Sequence, residues 1–216
     1  MAYQKSTVTV FCEGKSECAY IQCLSKLFRE LGGNLELIPK DLGGGKAHNI
    51  RKKIKNHRKN NREFQKECLL LRDRDLVIRD SSEEIDASLR GVTVLYSWQN
   101  FEDFLILHRN EDIVHKWIKV CEAAGHFQQP LNAKKHLELL HKHVNPDYEK
   151  GKLPFKQLTP ELLNTMLANN KAGLQIHSEF ATWIGERWSE LSENCGSSTP
   201  LPTEVQELDQ KNIGQS

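Results

Sequence analysis

Three carboxylates stand where runs of strand-forming residues stop. Glu13 follows the β-branched run in VTVFCEGKSE, just before a helix begins, and Asp73 and Asp75 close the apolar run CLLLRDRD. If the chain is still extended at the second place, a spacing of two directs both Asp side chains to the same side. In an open parallel sheet, ligands bind beyond the carboxyl ends of the strands, so the three acids can converge there. Like charges that close repel unless something positive lies between them. A hard divalent cation meets that need: Mg²⁺, or Mn²⁺, takes oxygen ligands and is held by one or two carboxylates together with substrate phosphates. Such a site suits phosphodiester hydrolysis.

The positive partner for such a substrate is concentrated in one segment. Between Lys46 and Glu67 there are nine Lys or Arg against two Glu, a local charge of +7 in a chain whose net charge is +1. Arg51, Lys55, Arg58, Lys59 and Arg62 fall at i, i+4, i+7, i+8 and i+11, one face of a helix, with Lys46 at its start. Nucleic acid is the polyanion that such a stripe suits. Each feature also has a plainer explanation. D-x-D is common in turns, a helix N-terminus stabilises a nearby Glu without any catalysis, and a charge run is ordinarily a solvated face. Chance accounts less well for Glu13 and the D-x-D pair both falling at strand ends of one α/β pattern.

The elements that must position these groups can be read in order. TVTVF predicts a strand, and Tyr20, Cys23, Leu24, Leu27 and Leu31 recur at helical spacing after Ser16, a candidate N-cap. Gly32-Gly33 stops that helix, NLELIP predicts a second strand, and DLGGGK a loop into the basic helix. CLLLRDRD is continuously apolar, as a central parallel strand buried on both faces should be. A helical piece around SSEEIDASLR, a strand GVTVLY and a helix NFEDFLILH follow. This alternation predicts a doubly wound, mainly parallel α/β sheet flanked by helices. From about residue 109 the pattern is helical, and Thr159-Pro160 opens a helix with Leu163, Met166, Leu167 and Leu174 inside. The expected organisation is an α/β core over 1–108, a helical extension over 109–191 packed on it, and a polar, disordered tail over 192–216.

Composition agrees with a globular chain. The 216 residues are 38% hydrophobic and 27% charged, and no apolar run approaches the roughly 20 residues of a membrane span. The opening MAYQKSTVTV lacks the features of a secretory signal, so a cytoplasmic location is expected, with the six cysteines reduced.

Four segments in the same order resemble a known family. A strand ending in E-G with Glu17 four residues on, and a later strand ending in D-x-D, resemble the TOPRIM domain of topoisomerases, primases and OLD-type nucleases. Within that group FCEGKSECAYIQCL, LLLRDRDLV, YSWQNFEDFLILH, and YEKGKLPFKQL followed by LANNKAGL resemble the RloB-like proteins over about residues 7–180. One departure is SWQNFE, where that family's pattern would have an N-P-x-F-E-like segment. The resemblance implies a TOPRIM/Rossmann-like fold and a metal-dependent nuclease cleaving RNA such as tRNA, or DNA, in prokaryotic defence. It makes Glu13 the general acid/base and a metal contact, Asp73 and Asp75 metal ligands, and Glu17 an extension of that site. Glu102 and Lys150 also match family positions, Lys150 as a phosphate contact. It further implies control by a partner ATPase, the nuclease being held quiet until a partner senses infection, with a homo-oligomer left open. The rival expectation is a catalytically idle module that binds nucleic acid or the ATPase as a scaffold.

Other motifs carry less. LGGGKAH is not a phosphate loop, because Lys40 replaces the first glycine of G-x-x-x-x-G-K-[ST] and Ala47 the hydroxyl. His136, His141 and His143 lack H-x-x-x-H spacing and are expected to be lone and exposed. Cys12 has no base nearby in sequence and reads as a buried strand residue.

Overall fold

The computed structural model describes residues 6–61, 68–79, 89, 91–170 and 175–194. Four strands, β1 (Ser6–Cys12), β2 (Leu35–Asp41), β3 (Cys68–Arg72) and β4 (Val92–Tyr96), pair in parallel in the order β2-β1-β3-β4. Thr9 lies opposite Cys68 in the β1/β3 pair, and Cys68 opposite Val92 in the β3/β4 pair. The crossovers need helices: α1 (Lys15–Glu30) joins β1 to β2, and α2 (Ala47–Asn60) joins β2 to β3. Because these two connections run in opposite directions across the sheet, they cover opposite faces, as the strand residues record. Val8, Val10, Cys12, Leu69, Leu71 and Leu95 pack with Tyr20, Leu24 and Phe28 of α1, whereas Phe11, Cys68 and Leu70 pack with Ile50 and Ile54 of α2. This is a doubly wound α/β arrangement, consistent with a Rossmann-like fold.

The strand order reverses direction between β1 and β3, which makes the crevice above their carboxyl ends the natural binding position. All five residues of β3 are buried, as its apolar run requires of a central strand. Helix α1 starts two residues earlier than a Ser16 cap allows. Gly14 is its N-cap, because β1 runs to Cys12 and leaves only Glu13-Gly14 for the turn. Glu17 then sits at the third position of the first turn, facing back over Gly14, where a Cβ would sit 3.1 Å from Glu17 Oε2.

A short helix α3 (Asp75–Arg79) follows β3, and α4 (Phe101–Ile106) follows β4. Helices α5 (Glu111–Ala123), α6 (Ala133–His143), α7 (Pro160–Asn169) and α8 (Glu179–Asn194) form the C-terminal part. The N-caps of α5, α6 and α7 are side chains: Asn110, Asn132 and Thr159 accept from the backbone N–H of Ile113, Lys135 and Leu162. Leu163 and Met166 face inward as their spacing predicts, and Leu167 is half-buried. These helices share one continuous apolar core with the first face of the sheet, through Trp117, Leu140, Leu163 and Phe180. Asn169 Nδ2 donates to the carbonyls of Leu107 and Arg109, 2.8 Å each, tying α7 to the end of α4. The expected helical piece at SSEEIDASLR, Leu174 and the tail beyond 194 lie outside the described residues, apart from buried Leu89.

Candidate active site

A cavity of about 490 Å³ opens above the carboxyl ends of β1 and β3. Glu13, Glu17, Asp73 and Asp75 line one side of it, so the structure brings together all four acids singled out in the sequence. Glu13 leaves β1 and accepts the Asp73 backbone N–H at 3.4 Å, while the buried Arg72 guanidinium lies 3.6 Å from its Oε2. Asp73 leaves β3 and accepts the Ser97 hydroxyl at 2.6 Å. Asp75 arrives for a different reason from the one its spacing suggests. The chain is no longer extended there: Arg74 N–H bonds Trp98 O, Asp75 N–H bonds Gln99 O, and α3 begins.

Burial, and then mutual repulsion, raises the proton affinity of Glu13, Glu17 and Asp73. Burial, then the nearby charges of Glu17 and Glu13, push the Asp73 carboxyl well above the ordinary range against the Ser97 hydrogen bond. Burial also raises Glu13, partly offset by Arg72, and pushes Glu17 up to about 7, with Glu102, Glu13 and Asp41 adding to it. Crowded, desolvated carboxylates whose donor atoms are all oxygens fit a hard divalent cation. Glu13, Asp73 and Asp75 are the residues that would hold it, drawn closer than they stand here, since among the described residues their oxygens do not form one close ligand group.

The floor between β4 and α4 is the segment Ser97–Asn100, where the sequence departs from the N-P pattern. Trp98 adopts φ 140°, a conformation disfavoured for any residue with a Cβ, and its indole Nε1–H is buried without a hydrogen-bond acceptor among the described residues. This turn carries the Ser97 hydroxyl to Asp73, with Ser97 N–H bonded to Arg72 O at 3.0 Å.

The opposite wall comes from α4, α6 and the loop after α6. Glu102 and Lys150 both line the cavity, and Tyr148 OH donates to Glu102 at 3.4 Å. His136 lines it too, contrary to the expectation of a lone exposed histidine. It is only 3% exposed, because with Leu140 it forms the buried face of α6, and its Nε2 lies 3.0 Å from Asp103 Oδ1. His141 is likewise engaged, on Tyr148 O at 2.7 Å. Asp103 is fully buried and accepts from Trp117 Nε1 at 2.9 Å and His126 Nε2 at 3.1 Å as well. Burial works against its charge, but His136 and the hydrogen bonds of both imidazoles outweigh it and hold the carboxyl well below the ordinary range. Asp103, Cys121 and His126 also lie close enough together for a metal ion. Both ring nitrogens of His126 are already engaged, Nδ1 accepting the Leu131 N–H at 3.0 Å, and burial pushes the Cys121 thiol up. The cluster therefore reads as a closed hydrogen-bond network.

The basic helix does not line this cavity. Lys46, Lys55 and Lys59 are exposed and Arg51 is half-buried on the far face of the sheet. Arg58, expected in the cationic stripe, is buried instead with its guanidinium against Gly91; it continues the inward row Ile50, Ile54, Arg58 at i, i+4, i+8. Arg62 lies outside the described residues. Cys12 is buried with its thiol pushed up, first by the hydrogen bond with Cys18, and is a core residue. No helix among the described residues is long and apolar enough to cross a membrane. Comparison of the chain with protein-family models, with curated proteins and with solved structures found no match.

Proposed function

We propose that this chain is a metal-dependent nuclease that hydrolyses phosphodiester bonds of RNA or DNA. The observation that carries the reading is the convergence of Glu13, Glu17, Asp73 and Asp75, from two strand ends and two helix starts, in one cavity at the point where the strand order reverses. A strand-end Glu and a later D-x-D on a four-stranded parallel sheet are what a TOPRIM-type site would require, and the RloB-like resemblance adds a defence role under a partner ATPase.

Bound by Glu13, Asp73 and Asp75, Mg²⁺ or Mn²⁺ would supply the positive charge that neutralises phosphate oxygens during displacement. The protein's own groups do the rest. Ser97 orients Asp73 by its 2.6 Å hydrogen bond, and Arg72 positions Glu13. Glu17, pushed up to about 7, can take or give a proton near neutrality, which is the requirement for a general base. Lys150, on the opposite wall, offers a charge to the substrate phosphate.

The test is incubation of purified protein with plasmid DNA and total tRNA in Mg²⁺ or Mn²⁺, beside Asp73→Asn and a chelator. Cleavage lost in both controls supports the reading and identifies the substrate. Cleavage that survives Asp73→Asn refutes the site. The scaffold alternative draws on one observation, that the exposed lysines of α2 lie away from the cavity. It requires nucleic-acid or ATPase binding that persists in chelator without cleavage.

A further inference from the structure

The wall facing the acids holds a group that the reading above leaves unused. His136 is more than nine-tenths buried yet lines the cavity, and its Nδ1 has no hydrogen-bond partner among the described residues. Its Nε2 is taken by Asp103 at 3.0 Å. Four donors share that carboxylate, Asn100 Nδ2 the most distant at 3.5 Å, and the three ring donors differ in reach. Trp117 and His126 are enclosed in the core and do not line the cavity; His136 does. The Leu131 N–H on His126 Nδ1 fixes that second ring as the neutral tautomer protonated on Nε2. The His136 ring is held edge-on to Trp117, with centroids 5.3 Å apart, and lies 5.0 Å from the His126 ring. Asp103 thus fixes one imidazole and leaves its free nitrogen for the cavity.

We propose that His136 is the acid that protonates the leaving oxygen of a phosphodiester bound in this cavity, with Asp103 as its positioning residue; this rests on the hydrolytic reading above. The groups that bear on the ring are Asp103 and Glu102 from α4, Lys150 from the loop after α6, and neutral His126. Burial and Lys150 disfavour the imidazolium, Asp103 and Glu102 favour it, and the balance lies above the ordinary histidine value. The protonated ring donates through Nε2 to Asp103 and keeps a second proton on Nδ1.

In the step, a water oxygen forms the new P–O bond while the P–O bond to the leaving group breaks. One water proton passes to the Glu17 carboxylate, and the leaving oxygen takes the Nδ1 proton. An alcohol departs and a phosphomonoester remains. Transfer of the Glu17 proton through solvent to Nδ1 restores both groups.

The test uses the full chain with His136→Gln, which can still donate to Asp103 and whose folding is checked by thermal melting. Two probes are compared: an oligonucleotide, whose alkoxide leaving group needs a proton, and bis(p-nitrophenyl) phosphate, whose nitrophenolate does not. Oligonucleotide cleavage is expected to fall about 100-fold or more, the nitrophenyl reaction by less than about fivefold, and the alkaline limb of the kcat profile to vanish. Equal losses on both probes, or a surviving alkaline limb, overturn the proposal. A second readout needs neither metal nor turnover. On titration with inorganic phosphate, the His136 ring resonances should move and its pKa rise, and Asp103→Asn should weaken both effects. A ring that ignores phosphate also overturns the proposal. If wild type cleaves neither probe, the hydrolytic reading falls and the acid role with it, while the phosphate titration separately reports whether the ring meets an anion.

Discussion

Buried carboxylates lie on either side of one cavity, the acids of the β1 and β3 ends in its lining and Asp103 behind the His136 wall, and the fold treats them oppositely. Asp103 is surrounded by N–H donors on both oxygens and stays ionised. Asp73, Glu13 and Glu17 are set mainly against one another, with Ser97 and Arg72 as partial relief, and all three are pushed toward the neutral acid. A carboxylate with every lone pair occupied is a structural joint, joining α4, α5 and α6 here. A carboxylate left in like-charged company holds free energy that a cation can release. The difference separates scaffold from site using one kind of side chain.

The largest test of that contrast removes each type in turn. Asp103→Ala should destabilise the fold by about 3–5 kcal/mol in urea denaturation, because His126, His136 and Trp117 lose their acceptor in the core. Asp73→Asn keeps an acceptor for Ser97 and removes only charge. It should stabilise the metal-free protein by about 1–2 kcal/mol while lowering cleavage at least about 100-fold. Loss of stability from Asp73→Asn would erase the contrast.

Metal should act on one cluster only. At 100 times its dissociation constant, Mg²⁺ or Mn²⁺ should add about 2.7 kcal/mol to stability, read as a thermal shift, and Asp73→Asn should abolish that gain. Asp103 variants that still fold should keep it.

Proton linkage gives the next effect. Glu17 ordinarily titrates near 4.5 and is pushed up to about 7 in the fold, so between those values the native state binds the extra proton. Stability from this group is present below 4.5 and lost as pH rises through 7. Asp103, held low, contributes in the opposite sense, and its share is lost only in strong acid. His108, kept neutral by burial down to about 4, also opposes the Glu17 trend below 6.5. The measurement is therefore a difference: Glu17→Gln should gain about 1–3 kcal/mol on the metal-free wild type between pH 4.5 and 8 and nothing further above.

The smallest effect asks whether the contrast stays inside the cavity. Lys55→Glu and Lys59→Glu sit on the exposed face of α2, and each should reduce the salt slope of nucleic-acid binding by about one. Stability should move by less than about 0.5 kcal/mol. Arg58→Ala, by contrast, should destabilise by about 1–3 kcal/mol, since that side chain is buried against the Gly91 turn.

The strand ends were legible because a β-branched or apolar run that stops at an acid fixes both the element and the place where it points. Glu13 and Asp73 lie where that rule puts them, and Asp75 lines the same cavity through the start of α3. Arg58 was misplaced although the signal existed: counting from Ile50 and Ile54 puts it on the buried row, and a charge pattern alone conceals this. His136 had the same kind of signal, its i+4 relation to Leu140. Ser97 and Asp103 had none. Their roles depend on contacts with groups 24 and 33 residues away, Asp73 and His136, and no local periodicity records such pairings.

The spread of the cavity along the chain has a consequence in time. Its walls run from Glu13 to Gly151, and the Glu13–Asp73 contact alone spans 60 residues. Parallel pairing of β1 with β3 has to wait for the whole β2–α2 excursion, and the far wall for α6 and the loop beyond it. A chain still emerging from the ribosome therefore has acids but no enclosed pocket until about its first seven-tenths have been made. An unfinished copy lacks the assembled cavity in which the proposed chemistry would take place.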